Sequence, residues 1–129
     1  MNYWNTVTEL DHDYMVRELI AHLKSNGYTG VEADMTGYNK PTAIHWKNNQ
    51  NGHIPDVVAQ KNGQYVVFEV ETVSDLASDH AKSQRELFSA YANQHKKSFV
   101  LVVQQSAKAE AERLLAFEGI QAKVWTVNQ

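Results

Sequence analysis

Apolar side chains recur at Met15, Val16, Leu19, Ile20 and Leu23, a spacing that lays one stripe along a helix. Thr6, with Glu9 three residues on, has capping-box spacing, so this helix is expected to start near Thr6 or Thr8. Asn26-Gly27 is expected to stop it. TGVEADM and TAIHW read as short strands separated by the turn-rich TGYNKP, and the polar KNNQNG, Lys47 to Gly52, reads as a surface loop. Two apolar runs near 54–60 and 65–72 then flank Asn62-Gly63, the strongest short signal for a β-hairpin. A helix is predicted from about Asp79 to His95, with Ala81, Leu87, Phe88, Tyr91 and Ala92 on one side. SFVLVV, Ser98 to Val103, has the continuous apolar run of a buried strand. Lys108 to Gly119 forms a last helix and AKVWTV a last strand. The order α-β-β-β-β-α-β-α-β predicts an α/β fold in which helices flank a mixed sheet, its antiparallel part being the central hairpin.

The chain has 129 residues, 43% hydrophobic and 21% charged, which suits a single domain, 1–129, with a real core. Without cysteine there is no disulfide framework and no cysteine-based zinc site, and the six histidines lack HExxH spacing. No apolar run approaches the roughly 18 to 20 residues of a membrane span. MNYWNTVTELDHDY lacks the order of a signal peptide, so a cytoplasmic location and no membrane contact are expected. A net charge of −3 argues against tight non-specific binding to duplex DNA, which rests on neutralised phosphates.

The hairpin changes the picture from fold to chemistry. A two-residue turn sets Lys61 against Gln64, and counting outward sets Asp56 against Glu69. Glu71 shares the face of Glu69, while Val57, Ala59, Val66, Phe68 and Val70 share the other. A slip of one residue would bury the acids and expose the valines, so the register is expected to be firm. Like charges directly opposed destabilise a strand pair. Protonation, a neighbouring Lys or Arg, or a bound cation relieves that. Oxygen ligands at this density suit Mg²⁺ or Mn²⁺. The bland alternative is that these acids simply reach water at strand ends.

IPDVVAQKNGQYVVFEVET, with Pro55-Asp56, the Lys61-Asn62-Gly63 turn and Glu69-x-Glu71, resembles the core motif of the PD-(D/E)XK nuclease superfamily, most closely archaeal Holliday-junction resolvases. Looser likeness extends upstream to LKSNGY and downstream to Gln84 and SFVLVV. The resemblance implies a restriction-endonuclease-like αβββαβ core and Mg²⁺-dependent cleavage of DNA. It implies Asp56 and Glu69 as metal ligands, with Gln84 on the flanking helix. It also implies action as a homodimer. Glu71 stands where the family carries a lysine, which makes the site strongly negative and would demand a cation. Aligning on LKSNGY puts Val16 where the family has a first-helix acid, with Asp13 and Glu18 as neighbours that could substitute.

Asp11-His12-Asp13 could ligate metal, but acids at a helix start also meet the dipole favourably. Lys82, Arg85, Lys96 and Lys97 could contact phosphate, or could line a solvated helix face. Trp4, Trp46 and Trp125 are too scattered to argue a stacking platform. The expectation is a metal-dependent endonuclease with Asp56, Glu69 and Glu71 as metal ligands and Gln84 beside them. The alternative is a catalytically inactive domain of the same fold that binds nucleic acid or protein. A further alternative is an interaction module whose acidic face binds a basic partner.

Overall fold

The computed structural model describes residues 3–47 and 51–127, with side chains described from residue 11 onward among those of the first helix. That helix, α1, spans Tyr3–Ser25. It begins before the expected start, so Thr6 and Glu9 lie inside it rather than at its cap. Asp11-His12-Asp13 is therefore well within the helix, where the dipole of the first turn no longer acts. The end is as the sequence predicts. Gly27 adopts φ 81°, and Tyr28 N–H donates to Leu23 O at 3.0 Å, the Schellman closure that a left-handed glycine permits. Met15, Val16, Leu19, Ile20 and Leu23 are all buried.

The strands are β1 (Thr29–Ala33), β2 (Ile44–His45), β3 (Gly52–His53), β4 (Val57–Lys61), β5 (Gln64–Glu71), β6 (Ser98–Gln104) and β7 (Lys123–Val127). Helix α2 spans Asp79–Gln94 and α3 spans Lys108–Glu118, preceded by a short 3-10 turn at Gln105–Ala107. The main sheet has the order β1-β4-β5-β6-β7. β1, β4 and β5 run antiparallel, and β5, β6 and β7 run parallel. β2 does not join this sheet: it pairs with β3 as a separate two-stranded ladder. The KNNQNG segment thus ends in β3, and its residues 48–50 lie outside the described part. Among the described residues no helix is long and apolar enough to cross a membrane.

The hairpin forms in the expected register, from Lys61↔Gln64 to Val57↔Phe68. Asn62 and Gly63 both take positive φ, 51° and 77°, the type I′ geometry whose twist matches the strands it joins. Val57, Ala59, Val66, Phe68 and Val70 pack under α1. On the opposite face Val58 and Val67 pack with Leu87 and Phe88 of α2, and Leu101 and Val103 pack with Ala111 and Leu115 of α3. Both faces are therefore covered, which corrects the picture of one apolar and one wet face. Glu69 and Glu71 are 2% and 3% exposed in the register the turn dictates. The turn, rather than exposure of the acids, holds the register.

Candidate functional site

The hairpin opens away from its turn, and Asp56 is the next residue beyond the last paired position of β4. Pro55 before it is buried. The Asp56 backbone is fixed on both sides: its carbonyl accepts from Asp34 N–H at 2.9 Å, and its N–H donates to Glu69 Oε1 at 3.3 Å. Its carboxylate Oδ2 accepts from Val70 N–H at 2.8 Å. The same oxygen lies 3.3 Å from His12 Nε2 on α1, and His12 Nδ1 lies 3.7 Å from Asp13 Oδ1. Asp56 thus bridges two elements and keeps a little exposure, 15% of its side chain.

Glu69 is enclosed. Among the described residues it has no ion-pair partner. Burial first, then the charge and hydrogen bonding of Asp56, raise its carboxyl well above the ordinary 4.5. His12 rises above its ordinary 6.5, mainly through its hydrogen bond to Asp56, against the opposing effect of burial.

Two residues on, Glu71 is managed differently. Arg85 Nη1 donates to Glu71 Oε1 at 2.7 Å and to Leu76 O at 2.8 Å. Its Nε and Nη2 form a fork on Glu118, at 2.9 and 2.7 Å. The guanidinium, 1% exposed, ties β5, α2, the segment after β5 and the end of α3 together. One cation faces two acids, and the fork favours Glu118. Burial accordingly lifts Glu71 to about 8 despite Arg85. Its Oε2 is buried with no hydrogen-bond partner.

The structure thus brings Asp56 and Glu69 together and commits one oxygen of Glu71 to Arg85. Among the described residues, no group of three or more His, Cys, Asp or Glu is placed to hold a metal ion. Gln84 is half-buried on α2, one residue before Arg85, and makes no hydrogen bond to these carboxylates among the described contacts. Of the first-helix acids, Asp13 sits beside His12. Glu18 is exposed and lines a different cavity with His22 and Trp125. Val16 belongs to the core.

Two residues take roles that the sequence reading did not give them, His12 as the partner of Asp56 and Arg85 as a buried cation, and each had a signal. His12 precedes Met15 and Val16 by three and four positions, so it extends the buried stripe of α1 backward. Arg85 lies four residues after Ala81 and three before Phe88, on the apolar stripe of α2 rather than its wet face. Comparison of this chain with protein-family models, with characterised proteins and with solved structures finds no match.

Proposed function

We propose that this protein is a metal-dependent endonuclease of the restriction-endonuclease-like fold, hydrolysing phosphodiester bonds in DNA at Asp56 and Glu69. The observation that carries the proposal is the pair itself. Two carboxylates sit together at the open end of a hairpin, and burial beside Asp56 raises the carboxyl of Glu69 well above its ordinary value. Their chemistry fits Mg²⁺ or Mn²⁺. Mg²⁺ keeps several waters and is commonly held by one or two carboxylates plus substrate phosphate, so a full protein cage is not required. The unpartnered Oε2 of Glu71 is a further hard oxygen on the same strand face. A bound divalent ion would activate a water and stabilise charge on the scissile phosphate.

The chain's own residues have separable tasks. Glu69, its carboxyl raised by burial beside Asp56, would supply a second carboxylate oxygen to the ion. Asp56 presents Oδ2, oriented by Val70 N–H. His12 is a positioning residue: both of its ring nitrogens face carboxylates, so it holds Asp56 rather than the scissile bond. A cut of both strands needs two such sites, which favours a homodimer with two-fold symmetry.

The buried Arg85 favours a second reading, a domain of this fold that binds without cutting. Arg85 already compensates Glu71 and Glu118 from within the chain. Cleavage of branched, single-stranded and duplex DNA with Mg²⁺ or Mn²⁺ decides between them. The nuclease reading expects metal-dependent cutting that Asp56→Asn removes. Intact substrates of all three kinds, with no metal response in melting, would leave the binding domain.

A further inference from the structure

We propose that the groove between the C-terminal part of α2 and the β2 ladder grips single-stranded nucleic acid, stacking its bases on Trp46, Tyr91 and His95. The proposal names the substrate class for the site at Asp56, and it rests on the nuclease reading only for cleavage once the strand is bound. Ile44 of β2 enters the core with Val58, Leu87 and Phe88, and this seats the ladder against α2. Side chains from three distant parts of the sequence then meet. Two cavities, ≈ 200 Å³ and ≈ 290 Å³, share His45, Tyr91 and His95 as walls.

The lining is aromatic and basic. Trp46 is 41% exposed, a large ring left open to solvent. The Tyr91 and His95 rings lie 4.6 Å apart at 42°. Lys97 Nζ donates to Tyr91 Oη at 2.8 Å and sits 4.1 Å from the centre of the Tyr65 ring, which fixes the Tyr91 phenol. Lys47 lines the larger cavity, and Lys96 is exposed just past the end of α2. Among the described residues no carboxylate lines either cavity, in a chain where 15 acids outnumber 12 lysines and arginines. Glu86 comes in only on another side of Trp46, in an adjoining hollow.

That combination selects the occupant. The exposed Trp46 and His95 rings offer faces to bases, half-buried Tyr91 backs His95, and lysines beside them meet phosphates. A duplex hides its base faces, so ring stacking rewards a single strand. An acidic peptide would satisfy the lysines but leave the ring faces without stacking partners, so the rings decide. Pro55, next in sequence to Asp56, forms part of the smaller cavity.

The test is fluorescence anisotropy of the full chain with a labelled oligothymidylate and with a duplex of equal length, in chelator so that nothing is cut. The single strand should bind more tightly than the duplex. Trp46→Ala and His95→Ala should each weaken it by about tenfold, and Trp46→Phe should restore most of the affinity. With three lysines available, the slope of log affinity against log salt should be shallow, roughly −2. Both positions are exposed, and unchanged melting of each variant checks that the fold is kept. Binding is read in chelator, without cleavage, so failure of cleavage leaves this site standing. Equal affinity for duplex and single strand, or wild-type affinity in both alanine variants, overturns the groove while leaving the carboxylate site untouched.

Discussion

Glu69 and Glu71 are neighbours on one face of one strand, both buried, yet the fold treats them in opposite ways. Glu71 meets a cation from within the chain, and Arg85 is locked by four hydrogen bonds from its own nitrogens. Glu69 meets another carboxylate, and among the described residues no cation contacts it. A permanent guanidinium closes a site, because its charge cannot leave and its fork fixes three elements. A carboxylate pair without such a partner leaves room for a cation from outside the chain. The first cluster is closed within the fold, and the second is the one proposed to take up a metal ion.

The sharpest way to break this contrast is Arg85→Ala. It strands two buried carboxylates and one carbonyl, and removing one partner of a buried ion pair costs about 3–5 kcal/mol. Denaturant unfolding should show that loss in the midpoint. Asp56→Asn in chelator should shift stability by about 1 kcal/mol or less, since Asn keeps an acceptor for Val70 N–H and removes a crowded charge. Comparable losses from the two variants would end the distinction between a structural and an exchangeable cluster.

pH comes next. Glu71 titrates near 8 when folded against an ordinary 4.5, and Glu69 and His12 are raised too. In all three the folded protein holds protons more tightly than the unfolded chain, so stability falls as pH rises. For Glu71 the contribution is whole below 4.5 and is lost as pH climbs through about 8. Metal-free protein should therefore lose stability on the order of 3 kcal/mol between mild acid and mild alkali. Glu71→Gln should flatten part of that decline, because it removes one titrating acid and leaves Arg85 one acid instead of two. A pH profile that rises toward alkali would sink the assignment of protons to these groups.

Metal should act on the other cluster. Millimolar Mn²⁺ or Mg²⁺ should raise the melting temperature, by linkage of about 2.7 kcal/mol if the ion is at a hundred times its dissociation constant. The rise should be larger at pH 8 than at pH 6, where Glu69 and His12 keep their protons more firmly. Asp56→Asn should erase it, and Glu71→Gln should preserve most of it. A response that Glu71→Gln abolishes and Asp56→Asn leaves intact would exchange the roles given to the two sites.

How far the sequence shows this depends on the kind of signal each residue leaves. The hairpin register was legible because Asn62-Gly63 admits few turn geometries, and register alone put Asp56 beside Glu69. The helices and the long strands were legible from periodicity. TAIHW was legible as a strand and contains β2, but β3 and the separate ladder were not, because a strand of two residues carries no period. The resolution of the acids was hidden for a different reason. Arg85 is a charge on an apolar stripe, and charge is read as exposure unless a buried partner is known. That partner is Glu118, 33 residues away in sequence and carried on another helix. His12 was obscured by setting the start of α1 too late, which made an interior residue look like a terminal one.

The smallest expected effect is at His12, and it sharpens the comparison most finely. Its side chain is 32% exposed, so its pairing with Asp56 is screened by solvent and worth about 0.5–1 kcal/mol. The sign follows from the raised pKa: the pairing is fully present below the ordinary 6.5 and is lost as pH rises through the folded value. His12→Gln should therefore lower stability at pH 6 and make little difference at pH 9, measured by chemical denaturation in chelator. In Mn²⁺ the balance inverts. A protonated His12 competes with the metal for Asp56, so His12→Gln at pH 6 should gain a larger thermal shift from Mn²⁺ than the wild type does. Loss of the metal response in that variant at every pH would instead make His12 part of the metal site, joining α1 to the exchangeable cluster as a ligand rather than a rival.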